Sequence, residues 1–146
     1  MTKILRAILL NLLLAPGSTL IAGDAVAIGY NTEGIWTSVT YYSSGSAKGG
    51  RDYKNEKEAR EAALRDLRRR GDHQNARTEI LSSSDSTGFV AVARGVNASG
   101  KDENVAGRGK TQQEADEQAM AELKQREATK SQKIVYRYFS HGADGK

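Results

Sequence analysis

The sequence predicts an α+β domain of two layers: a mostly antiparallel sheet with two helices on one face, built from two strand-strand-helix-strand repeats. Three observations carry this. Residues 54–67 (KNEKEAREAALRDL) recur as residues 110–123 (KTQQEADEQAMAEL), an offset of 56 residues. At that offset Lys54, Glu58, Ala59, Glu61, Ala63, Leu67 and Arg70 meet Lys110, Glu114, Ala115, Glu117, Ala119, Leu123 and Arg126. Both copies carry a narrow alanine-lined stripe at helical spacing, suited to lying close on a sheet. Each copy also follows a pair of β-rich segments and precedes another. Repetition of this length marks a duplicated structural unit. One unit alone is too small to bury a stable core. The sequence therefore predicts two units sharing one sheet about a pseudo-twofold axis, with both stripes on the same side.

In order, residues 26–30 (VAIGY) read as a strand, and residues 31–34 (NTEG) as a turn in which Gly34 can adopt positive φ. Residues 35–42 (IWTSVTYY), rich in β-branched and aromatic side chains, form the partner strand. Residues 43–52 (SSGSAKGGRD) lack apolar patterning and read as a connection. Asn55 is placed to cap the first helix, with Glu58 as its capping-box partner. Ala59, Ala63 and Leu67 form its stripe, and Gly71 ends it. Residues 77–83 (RTEILSS) supply a third strand. The order then repeats: strand 89–93, turn 97–100, strand 103–108, a helix capped by Thr111 with Glu114, and strand 134–139.

The first residues read as a targeting segment. Lys3 and Arg6 precede an apolar run, residues 7–15, that is too short to span a bilayer; Pro16 and Gly17 break it, and small residues follow. Residues 1–23 are expected to be a cleaved signal peptide, its junction between 17 and 25, after Gly17, Ala22, Gly23 or Ala25. The mature chain is then exported, periplasmic or secreted, with a single domain over 24–140 (units 24–86 and 87–140) and a tail over 141–146. Losing Lys3 and Arg6 lowers the formal net charge from +4 to +2. Such a balanced chain lacks the basic stripe of a nucleic-acid binder. Cysteine is absent, which excludes disulfides, thiol catalysis and thiolate metal sites.

The repeated A-V-A-I-G, the small-residue turn, the aromatic second strand and the E-A-x-x-x-A-L/M helix resemble the exported bacterial family catalogued as domain of unknown function 4189. Val90-Ala91-Val92-Ala93, then Gly107-Arg108-Gly109-Lys110-Thr111 and Glu114-Ala115, match it more closely. The resemblance covers most of residues 25–140 and implies the fold and the export. It also implies helix cysteines where this chain has Leu67 and Leu123, which makes this a cysteine-free variant. It brings no activity with it.

The chemistry-bearing motifs are sparse. Residues 104–111 (NVAGRGKT) approach a phosphate loop, but that motif needs G-x-x-x-x-G-K-[ST], and Asn104 stands at the first glycine. His73 and His141 have no metal-ligand spacing. Residues 82–86 (SSSDS) lack the nucleophile-elbow pattern. No catalytic residue, metal or cofactor is assigned, and no enzyme activity is expected. Two candidate binding features remain. Arg68, Arg69 and Arg70 form the strongest basic cluster and could meet an anionic envelope polymer, although a helix C-terminus favours such residues without any ligand. Trp36 and Tyr42 share a face if the second strand alternates regularly, and that face would mark a recognition surface. The inward alternative for Trp36 stays open, because register is not fixed by sequence. The resulting expectation is a small non-catalytic exported module that recognises a protein or cell-envelope component. The alternatives are a wall-modifying hydrolase and a structural protein that self-associates through sheet edges.

Overall fold

A computed structural model describes residues 23–42, 53, 55–71 and 75–141. Residues 1–22 of the expected leader, the connection 43–52 and His73 lie outside them. The elements are β1 (Asp24–Tyr30), β2 (Trp36–Tyr42), α1 (Glu56–Gly71), β3 (Arg77–Ser84), β4 (Gly88–Val96), β5 (Asp102–Gly109), α2 (Gln112–Gln125) and β6 (Lys130–Ser140). The α+β class, the antiparallel pairing and the element order are those expected from the sequence.

The two hairpins turn in the same way, 66 residues apart. Asn31 Oδ1 accepts from the N–H groups of Glu33 (3.0 Å) and Ile35 (2.9 Å). Asn97 Oδ1 accepts from those of Ser99 and Lys101, both at 3.0 Å. Gly34 and Gly100 close the turns at φ of 80° and 79°, where a side chain would be strained. The helices are capped as their sequences require. Asn55 Oδ1 accepts from Glu58 N–H at 3.0 Å, and Thr111 Oγ1 from Glu114 N–H at 3.1 Å. Glu114 reaches back to Lys110 N–H (2.8 Å), one residue before the cap.

The layering differs from the expectation. There is no single shared sheet. There are two three-stranded sheets, β2-β1-β3 and β5-β4-β6, with the same order and all pairs antiparallel. On β1, Ala25 and Ala27 pack on the α1 stripe of Ala59, Ala63 and Leu67. On β4, Ala91 and Ala93 pack, with Val105, on the α2 stripe of Ala115, Ala119 and Leu123. The alternate residues, Val26 on β1 and Val90 and Val92 on β4, meet one another in a third cluster with Tyr138, joined by Leu81 and Ala106. The sheets are therefore stacked face to face, and each helix covers an outer face: helix, sheet, sheet, helix. The physical reason lies in the central strands. Both alternate alanine with valine and have no polar face, so each needs cover on both sides. A two-layer arrangement would leave Val26, Val90 and Val92 in water.

Glycine sets how closely α2 can approach β5. A Cβ on Gly107 would lie 2.2 Å from the Ala115 carbonyl oxygen, and one on Gly109 would lie 2.5 Å from Glu114 Cβ. The resemblance of this segment to a phosphate loop is thereby explained by packing: its glycines admit a helix, and its threonine caps that helix. At the start of β1 the same kind of constraint applies. A Cβ on Gly23 would lie 2.1 Å from the Asn55 carbonyl carbon.

Candidate binding surface

Two buried polar clusters tie the sheets together. At one end Asp24 is almost wholly buried. It accepts from Arg108 Nη1 (3.2 Å) and Nη2 (3.4 Å), from the Tyr138 hydroxyl (3.3 Å) and from the Ser140 hydroxyl. Arg108 also donates to Ser82 Oγ (3.0 Å) and to the Ser86 carbonyl (3.0 Å). Two neighbours of these serines serve α1: Ser83 donates to Glu56, and Asp85 accepts from the Glu56 N–H. The serine-rich segment 82–86 is thus occupied in holding the fold. At the other end Asp102 accepts from Arg94 Nε (2.9 Å) and Nη2 (2.6 Å) and from the Trp36 N–H (3.0 Å). Nearby, Asn104 donates to the buried Tyr30 hydroxyl at 3.4 Å. Burial pushes that hydroxyl above the ordinary tyrosine range and the Glu79 charge adds to this, against the opposing Asn104 hydrogen bond and the Arg77 charge.

The basic cluster of α1 is largely committed internally. Arg69 Nη2 lies 2.7 Å from one oxygen of Asp66, and Arg70 Nε lies 2.7 Å from the other. Asp66 is buried and also accepts from Thr40 Oγ1 at 3.1 Å. Burial alone would raise its pKa. Hydrogen bonds from Arg69 and Thr40, with the Arg70 charge, outweigh that and hold it below the ordinary carboxylate range. Arg68 is exposed, with no ion pair among the described residues. The cluster therefore anchors the end of α1 to β2, and among the described residues only Arg68 of the three is without an ion pair.

Trp36 stands at the same end of the first sheet as these arginines but on its opposite face, and the strand does not alternate regularly beneath it. Ile28 pairs with Val39 and Gly29 with Ser38, but Tyr30 pairs with Trp36, so Thr37 is an extra residue. This bulge places Trp36 on the same side as Val39, facing the second sheet. Thr40 turns to α1, where its hydroxyl donates to Asp66. Tyr42 pairs with Ala25 at the far end of β2. Trp36 and Tyr42 are not brought together. The Arg94 guanidinium stands 5.5 Å from the centre of the Trp36 ring.

The space between the sheets is closed on one side and open on the other. Along β3 and β5 it is sealed by Leu81 and Ala106, by Arg108 on Ser82, and by Arg126, which pairs with both Glu79 (3.4 Å) and Glu103 (3.8 Å). Along β2 and β6 the same inner faces emerge into solvent. Trp36 and Val39 are each 38% exposed, Val135 44% and Tyr136 46%. Tyr136 pairs with Val92 in register, two residues from the buried Tyr138, so it continues the inter-sheet face outward. Val135 is the extra residue of a β6 bulge between Val92 and Ala93. Its counterpart in the first sheet, Leu81, occupies the matching bulge between Val26 and Ala27, and is packed into the core.

Sequence reasoning singled out Trp36 but missed Val39, Val135 and Tyr136. The aromatic and branched density of residues 134–139 was the available signal. Among the described residues no group of three or more His, Asp or Glu side chains is placed to hold a metal ion. No described helix is long and apolar enough to cross a membrane. His141 is exposed, its ring edge-on to Phe139 with centres 5.1 Å apart. In comparisons with protein-family models, with curated proteins and with solved structures, nothing matches the chain.

Proposed function

We propose that this protein is a small, non-catalytic, exported module that binds a protein of the cell envelope through the open side of its double sheet, between β2 and β6. One observation carries the reading. The face that is dry wherever the sheets overlap continues outward as Trp36, Val39, Val135 and Tyr136, each more than one-third exposed. Exposed apolar and aromatic side chains on such a face have a standing cost in water, and such surfaces mark recognition sites. Tryptophan and tyrosine are also the residue types that dominate binding energy at interfaces. Export rests on the leader-like first residues and on the family resemblance. An anionic envelope polymer at Arg68, Arg69 and Arg70 is the weaker idea, because two of those charges already serve Asp66.

The test is capture of partners from an envelope extract by the purified full chain, compared with a Trp36→Ala/Tyr136→Ala variant. Circular dichroism and thermal melting confirm that the variant folds. Loss of the captured protein in the variant supports the surface, whereas equal capture removes it.

A further inference from the structure

Resting on that reading of the open side, we infer that its occupant is an extended peptide segment of another protein, apolar along its length and acidic at one end, which adds as a fourth strand beside β6. Three observations lead there.

The first is backbone. β6 is the edge of its sheet and the longest strand, 11 residues, with β4 as its one neighbouring strand among the described residues. Its register on β4 is regular from Tyr136 to Ser140 and shifts before that. That regular stretch presents a row of backbone groups directed away from β4, which a peptide strand satisfies and a lipid chain does not.

The second is the side chains beside that edge. A strand laid there turns alternate residues toward the inter-sheet face. It meets Tyr136 and Val135 on its own sheet and approaches the exposed Val39 of the facing one, with Trp36 at the end where it stands by Arg94. Apolar residues on the incoming strand cover Tyr136 and Val135.

The third is charge. β6 carries Lys130, Lys133 and Arg137, while β2 (WTSVTYY) carries no charged residue. Arg137 is held by Asp116, 2.8 Å away on α2. Lys130 and Lys133 are exposed and have no ion pair among the described residues. They stand beyond the regular stretch, at its Tyr136 end, and set the sign of the incoming strand there.

The experiment uses the full chain and a synthetic peptide alternating valine and threonine with glutamates at its C-terminus. A control peptide ends in lysines, and vesicles of phosphatidylglycerol form a third arm. Trp36, the single tryptophan, is the reporter. The expected result is a blue shift of its emission with the acidic peptide, together with slowed amide exchange over residues 136–140. Binding weakens roughly tenfold in a Lys130→Glu/Lys133→Glu variant at low salt. Equal binding of the lysine-ended peptide overturns the inference. A Trp36 response to vesicles but not to the peptide overturns it too, as does slow exchange at β6 in a dimer without peptide. Envelope capture that is lost in Trp36→Ala/Tyr136→Ala but unchanged in Lys130→Glu/Lys133→Glu overturns strand addition and leaves the binding surface standing.

Discussion

Arg108, on β5, reaches through the sandwich to Asp24, 84 residues earlier on β1, with Nη1 3.2 Å from Oδ1. This contact joins the two sheets at one end, and both partners are largely withdrawn from water. A buried charge left without its counter-ion is costly, so Arg108→Ala and Asp24→Ala should each destabilise the fold by about 3–5 kcal/mol. The double variant should cost less than the sum, since neither charge is then orphaned. Urea unfolding of the four proteins measures this. Additive effects would mean that the pair does not act as a unit.

Acid should loosen the end of α1. The Asp66 carboxyl is held below its ordinary range in the folded chain, so the unfolded state takes up the proton first as pH falls. Its contribution is complete above the unfolded value of about 3.9 and is lost as pH drops through the lower folded value. Asp116 behaves in the same sense. The Arg137 hydrogen bond lowers its pKa, burial opposes this, and Gln112 adds to the lowering. Stability followed from pH 7 downward should therefore decline at the acid end. Asp66→Asn should be less stable at neutral pH and should flatten that decline. An unchanged slope in the variant would exclude Asp66 as a source.

Substitution of glycine should be far worse at position 107 than at position 100. Gly107→Ala drives a methyl group into the Ala115 carbonyl and must push α2 off β5, at about 1–3 kcal/mol or more. Gly100→Ala meets nothing within 4 Å and costs only the strain of positive φ, about 1 kcal/mol. Thermal melting ranks the two, and the reverse order would contradict the close helix-sheet contact.

One change should stabilise. Glu127 follows the end of α2 at φ 57°, the left-handed position that helix ends usually give to glycine. The surrounding hydrogen bonds, Ala128 N–H to Leu123 (2.9 Å) and Glu127 N–H to Lys124 (3.1 Å), remain available to any residue. Glu127→Gly should therefore gain about 0.5–1 kcal/mol, read as a higher urea midpoint.

Features set by local chemistry were legible in the sequence. The stripes of Ala59, Ala63 and Leu67 and of Ala115, Ala119 and Leu123 are fully buried, and Asn55 and Thr111 cap their helices. The hairpins repeat at an offset of 66 and the helices at 56, and the ten-residue difference matches the extra connection 43–52. Two further features were present but weighed wrongly. The alternation of alanine with valine on β1 and β4 already required cover on both faces. The spacing of Asp66, Arg69 and Arg70 already offered an internal partner for the arginines, three and four residues on. The face of Trp36 was not legible. It depends on one extra residue at Thr37, and the choice between a bulge and a straight strand is made by packing against the other sheet.

The tight seat of Gly23 bears on maturation. The polypeptide threads into the sandwich past Asn55 at a point that admits no side chain, and the next residue is the carboxylate that Arg108 grips. If residues 1–23 are a cleaved leader as proposed, a cut as late as Ala25 would discard that carboxylate as well. Scission after Gly17, Ala22 or Gly23 would spare it. If the chain is processed as proposed, the intact mass of the mature polypeptide should begin at Asp24 or upstream of it, and a species starting at Val26 should be missing from the folded pool.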